Sequence, residues 1–167
     1  KTLLAIFRQL DQASAAVSSI IGTGLVPTAL EMMERLTIKA VETAMRFGYP
    51  QDAGAILLVE VDGLTGDVEE AAIEVERVCM QEGAREVRAA SEAAERERLW
   101  SGRKGALGSL GALAPNYYLV DGVVPRTRLP EVLRRVEEIS SDIGFPIANV
   151  FHAGDGNLHP LILFDNP

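Results

Sequence analysis

The chain has two histidines, and both lie in one short stretch, His152-Ala153-Gly154-Asp155-Gly156-Asn157-Leu158-His159. Glycine, aspartate and asparagine are turn formers, and the apolar runs on either side, Ile147 to His152 and Leu158 to Phe164, have strand character, so the segment reads as a β-hairpin. If Gly154 to Asn157 form the loop, Ala153 opposes Leu158 and His152 opposes His159. Directly opposed side chains share a sheet face with Cβ atoms about 5 Å apart. Two imidazoles so placed suit a divalent ion such as zinc or manganese. The same spacing suits a pair that merely flanks a turn, one ring solvated and the other packed, and the residues alone leave both readings open. Zinc-like ions take at least three protein ligands. Asp155 lies on the loop and points the wrong way, so a third ligand is expected beyond Pro167.

A second group is Trp100-Ser101-Gly102-Arg103-Lys104, a cationic pair among small residues in a chain of net charge −8. An arginine can grip a carboxylate through two parallel hydrogen bonds, which a lysine cannot. On the residues alone, the pair reads better as charges closing a helix, with Trp100 in the core. The third group, Asp121-Gly122-Val123-Val124-Pro125-Arg126, reads as a turn and strand end in which Arg126 caps the loop or reaches a ligand.

The elements that must hold these groups follow from periodicity. Strands are expected at Thr2 to Phe7, Pro27 to Met32, Ala55 to Val61, Arg85 to Ala90 and Tyr117 to Val120, besides the two of the hairpin. Helices are expected from Asp11 to Gly22, across Leu36 to Met45, from Asp67 to about Glu82, through Ser91 to Leu113, and from Leu129 to Ile143. Strands and helices alternate through short connections, which predicts an α+β fold: a ferredoxin-like antiparallel sheet with helices packed on one face. Two β-α units in succession leave room for a duplicated ferredoxin-like arrangement.

At 167 residues, 47% of them hydrophobic, the chain can bury the core of one ordinary domain. Its negative charge argues against a nucleic-acid partner, which requires a concentrated positive surface. The single cysteine, Cys79, falls in a helical stretch and has no internal partner for a disulfide, so a reduced cytoplasmic setting is expected. Apolar runs such as Ala53 to Val61 are far shorter than the roughly 20 residues that cross a bilayer. The chain begins at Lys1 within an apolar run and stops at Asn166-Pro167, and both ends read as cut from a longer protein.

Taken together and in order, Trp100-x-x-Arg103-Lys104, Pro115-Asn116-Tyr117-Tyr118, Asp121 to Arg126 and Asn149 to Pro160 resemble the C-terminal domain of FAD-linked oxidases. Within that family the likeness is greatest to the FAD-linked subunit of bacterial glycolate oxidases, and it runs through the chain, including Ala29-Leu30-Glu31 and Leu161 to Asp165. The resemblance implies that residues 1–167 are a substrate-side cap over the flavin, with the FAD-binding domain and a C-terminal segment lying outside the chain. It implies oxidation of a 2-hydroxyacid to a 2-oxoacid with FAD as hydride acceptor. Arg103 and Lys104 would bind substrate, with Arg103 on its carboxylate. His152 and His159 would bind a divalent metal that polarises the hydroxyl. A later Glu-His-Gly motif, outside this chain, would supply a further ligand and the general base, so no catalytic base is expected here.

Members of the family that act on 2-hydroxy dicarboxylates carry polar side chains where this chain has Leu107, Leu119 and Leu161. That points to a small substrate such as glycolate or D-lactate. The glycines Gly102, Gly105, Gly108 and Gly111 lack the strand-to-helix setting of a phosphate-binding loop, so FAD is expected to be held by the other domain. The resemblance further implies companion flavin-domain and iron-sulfur subunits that pass electrons to a membrane quinone pool, and so a cytoplasmic protein peripheral to the inner membrane. A cap without its flavin domain exposes apolar surface and is expected to self-associate. Two other readings compete: a stand-alone ferredoxin-like module that binds a small ligand or dimerises through its sheet, and a metal-dependent hydrolase using His152, His159 and Asp155.

Overall fold

A computed structural model describes residues 1–165. The elements are β1 (Thr2–Phe7), α1 (Leu10–Gly22), β2 (Ala29–Glu34), α2 (Arg35–Met45), β3 (Ala55–Glu60), α3 (Thr65–Gln81), β4 (Glu86–Ala89), α4 (Ala93–Lys104), α5 (Ala106–Ser109), β5 (Asn116–Leu119), β6 (Gly122–Val123), α6 (Leu129–Ile143), β7 (Ile147–His152), β8 (Asn157–Leu158) and β9 (Pro160–Phe164). Short 3-10 turns occupy Leu110–Ala112 and Arg126–Arg128. Among the described residues no helix is long and apolar enough to cross a membrane.

All strand pairs are antiparallel. The first half builds the strand order β4-β1-β3-β2, which with α1 and α3 as the crossing helices is a ferredoxin-like unit. Among the described residues the second half makes no second complete unit of this kind. Instead β7 pairs with β2 and extends the same sheet, and its far edge is shared by β9, which leads to β5, and β8, which leads to β6.

The expected α+β class and antiparallel sheet are present, but the expectation of helices on one face does not hold. Leu3, Ala5 and Phe7 of β1 pack with α1, α3 and α6. Their alternates Leu4 and Ile6 pack with α2, α4 and Ala106. Successive strand residues point to opposite faces, so both faces carry helices. This accounts for the unbroken apolar run of β1, every residue of which is buried: a strand covered on both sides has no polar face to alternate with. Phe7 and Phe151 are completely buried, each contributing about 1.5–3 kcal/mol by removal from water. Cys79 is buried in α3, and burial pushes its thiol up to about 12.

One half-buried carboxylate helps fix β2, α2 and β7. Glu34, the N-cap of α2, accepts hydrogen bonds from the amides of Leu36 and Thr37 and from that of Asn149 at the start of β7. Burial raises its carboxyl above the usual carboxylate range, against the lowering effect of those three backbone donors.

Candidate functional site

β7 ends in His152 and turns through Ala153 to Gly156 into β8, so the hairpin is present with its loop one residue earlier than expected. His152 pairs with Asn157 rather than with His159. A register change of two residues keeps side chains on the same face, whereas a change of one would have separated them. The two imidazoles therefore still meet, edge to face, with centroids 5.4 Å apart.

Local packing fixes this turn. Gly156 adopts φ +78, and any Cβ there would run into the Val124 carbonyl, whose own amide bonds to Gly156 O at 3.0 Å. Gly154 donates to Leu30 O on β2. Arg126 donates to Gly154 O at 3.1 Å, so it clamps the turn. Asp155 is exposed and accepts from the Asn157 amide at 3.0 Å, an Asx turn that leaves it outside the imidazole pair.

The sheet then adds a residue that the sequence did not mark as part of the site. Glu31 of β2 lies directly across from His152, and its Oε1 is 2.6 Å from His152 Nδ1. Its Oε2 is 2.7 Å from an Arg103 terminal nitrogen, with the two side chains 11% and 12% exposed. The Arg103 contact is close but not aligned as a hydrogen bond, and the buried Arg103 Nε has no partner among the described residues. On the other ring, His159 Nδ1 lies 3.7 Å from Asp121 Oδ1. For His152 the contact with Glu31 favours the Nδ1–H tautomer of the neutral ring, with the Nε2 lone pair free, whereas 3.7 Å leaves His159 without a hydrogen bond to Asp121.

Arg103 reaches this point because its neighbours on α4 are small. A Cβ on Gly102 would run into the Tyr49 hydroxyl, and one on Gly105 would come within 2.6 Å of Met45 Sδ, so the helix end lies tightly against α2 and the segment that follows it. Lys104 does not join it. One residue along a helix is a rotation of about 100°, and Lys104 is exposed with its ammonium 6.0 Å from the Trp100 ring. Trp100 itself packs against the core and donates its indole N–H to Glu60.

Two imidazoles on one tetrahedral ion, bonded through ring nitrogens at about 2.1 Å, place their centroids roughly 5 Å apart. His152 and His159 match that separation and could hold two corners of a metal site. Among the described residues no group of three or more histidine, cysteine, aspartate or glutamate side chains is arranged to hold a metal. Asn157, facing His152, adds a buried side-chain oxygen without a partner on the same sheet face.

The sequence pattern of the family described as FAD linked oxidases, C-terminal domain, matches residues 1–167. The chain belongs to this family. It is similar to the glycolate oxidase subunit GlcD of Escherichia coli (strain K12), with 48% identity over 99% of this chain and 33% of the relative. It is 34% identical to the GlcD subunit of Bacillus subtilis over 99% of this chain and 35% of that protein. A D-lactate dehydrogenase of Anaerostipes hadrus is 29% identical over 95% of this chain and 35% of its own length. The chain therefore spans about a third of the length of the curated relatives it matches. Two solved structures share the fold: an alkyldihydroxyacetonephosphate synthase, with TM-score 0.68 and 12% identity over 99% of this chain and 35% of that one, and the 4-ethylphenol oxidase of Gulosibacter chungangensis, with TM-score 0.65 and 16% identity over 97% and 38%.

The three leucines singled out against a dicarboxylate substrate differ in placement within this FAD-linked oxidase domain. Leu161 follows His159 by two residues, on the same sheet face, and is completely buried. Leu119 lies opposite it on β5 and is 45% exposed. Leu107, one turn beyond Arg103, is 41% exposed.

Proposed function

We propose that this chain is the substrate-side domain of an FAD-linked 2-hydroxyacid dehydrogenase whose substrate is a small monocarboxylate such as glycolate or D-lactate. The observation that supports this most is that the sheet and α4 bring a guanidinium with an unused buried donor, Arg103 Nε, to the two imidazoles of the hairpin. A 2-hydroxyacid offers matching chemistry: a carboxylate for Arg103, with the hydroxyl and its C–H bond one carbon away. The bound flavin, held by the rest of the protein, would take the hydride from that carbon.

The part of this chain is to bind and orient. Arg103 holds the carboxylate through its free edge, which places the hydroxyl on the side of His152 and His159. The two rings offer acceptor nitrogens on the substrate side, and with a donor from outside the described residues they would hold a divalent ion such as zinc or manganese that acidifies the hydroxyl. Lys104 has no role in this arrangement. The names of the E. coli and B. subtilis relatives, each a glycolate oxidase subunit, support a multi-subunit enzyme as the setting; companion flavin and iron-sulfur subunits, and attachment to the inner membrane through them, belong to the proposal alone.

Leucine at 107, 119 and 161 offers no cation or hydrogen bond to a second carboxylate. Leaving such a group desolvated and unpaired costs far more than losing a methylene contact. Steady-state oxidation by the full-length protein should favour glycolate or D-lactate over D-malate and D-2-hydroxyglutarate by at least about 100-fold in kcat/KM. Equal or better turnover of the dicarboxylates would remove the substrate assignment.

A further inference from the structure

Glu31 has no part in binding or chemistry as set out above, yet its location is a costly one. It sits in β2 between Leu30 and Met32, both in the core, with its side chain 11% exposed. A carboxylate removed from water to that extent needs charged or hydrogen-bonding partners to offset the lost solvation. Here Oε1 is hydrogen-bonded to His152 Nδ1 at 2.6 Å, while Oε2 is in ion-pair contact with Arg103 at 2.7 Å and, like Arg103 Nε, has no aligned hydrogen bond among the described residues. One anion touches both groups assigned to the substrate side.

We propose that Glu31 is the positioning residue of this site, a single carboxylate that sets the His152 tautomer and the Arg103 guanidinium plane together. By accepting the Nδ1–H of His152 it leaves Nε2 unprotonated and fixes the ring angle, the service a carboxylate gives to ligating histidines. By its charge, in contact with one terminal nitrogen of Arg103, it keeps the guanidinium beside the imidazoles and leaves the remaining donors, including the orphan Nε, for an incoming carboxylate. The register makes the device rigid: Glu31 and His152 are direct cross-strand partners on central strands, so their separation is set by the sheet and not by a loop. Asp121 is no equivalent anchor for His159, since it lies at 3.7 Å and its side chain is 65% exposed.

This inference rests on the reading of Arg103 and His152 as substrate-side groups, and the test separates the two. In the full-length protein, Glu31→Gln, Glu31→Asp, Arg103→Ala and His152→Ala are compared for KM and kcat with glycolate or D-lactate, for Mn²⁺ or Zn²⁺ affinity after chelator treatment, and for thermal midpoint. Glu31→Gln should raise KM at least about tenfold, by more than it lowers kcat, and weaken the ion about 10- to 100-fold. Glu31→Asp, which keeps the charge on a shorter arm, should recover part of both losses. If Glu31→Gln does not fold, the same comparison is made on Glu31→Asp, whose KM should then lie between those of wild type and Arg103→Ala. A folded Glu31 variant with KM and ion affinity within twofold of wild type overturns the proposal, provided Arg103→Ala or His152→Ala shows a loss. If those two variants are also indistinguishable from wild type, the assignment of the whole site fails with it. Should wild type bind neither ion, the KM comparison decides alone.

Discussion

An arginine is inexpensive on a protein surface and costly inside one. Arg103 is only 12% exposed and its sole ion-pair partner among the described residues, Glu31, leaves part of the guanidinium unused. The proposed substrate carboxylate would complete it. Replacing Arg103 by lysine keeps the charge but loses the paired geometry, and a charge-assisted hydrogen bond is worth about 1.5–3 kcal/mol. In the full-length protein Arg103→Lys should lower kcat/KM for the 2-hydroxyacid roughly 10- to 100-fold, while Lys104→Ala stays within twofold, as steady-state kinetics will show. At this scale the histidines were legible, because turn residues between two strands force flanking side chains together. The adjacent cations were not separable without a helix phase, which sends Arg103 inward and Lys104 outward. Glu31 was invisible as a site residue: its partner His152 is 121 positions away, and only strand pairing makes them neighbours.

The strands and helices themselves follow closely from residue pattern, with β1, α6 and β7 bounded as expected. What the pattern did not yield is which faces the helices cover. The uniform burial of β1 and the two opposed core clusters answer that, and the signal was already present in an apolar run without alternation. The hairpin register slipped by two because Gly156 takes the left-handed conformation inside the loop, which leaves Asn157 in the strand. Glu34 supplies a test at this level. Burial raises its carboxyl above the ordinary 4.5 in the folded state, so the native protein binds that proton more tightly than the unfolded chain. Its contribution to stability is therefore full below the unfolded value and is lost as pH rises through the folded one. Relative to wild type, Glu34→Gln in the full-length protein should gain stability as pH rises from about 4 to about 7, read from urea midpoints. A difference between the two proteins that does not change with pH would contradict this account of Glu34.

Across the whole molecule, one edge of the sheet is dressed with apolar side chains. Tyr117, Tyr118, Leu119, Val120 and Val123, on and between β5 and β6, are all exposed, Val123 to 73%. So many exposed large apolar side chains on one sheet edge mark surface that is covered in a larger assembly. Residues 1–167 expressed by themselves should self-associate, and a single monomeric species across all concentrations in analytical ultracentrifugation would count against that. At this scale the family was legible from motif order, whereas the substrate is a matter of a few contacts around one arginine. The most direct test of the account is anaerobic reduction of the flavin in the full-length protein by glycolate or D-lactate, followed by absorbance for wild type and Arg103→Ala. Bleaching of the wild-type flavin, with Arg103→Ala requiring at least about 100-fold more substrate, is the result expected. A wild-type flavin that neither acid reduces, or an Arg103→Ala protein with the same concentration dependence, would contradict it.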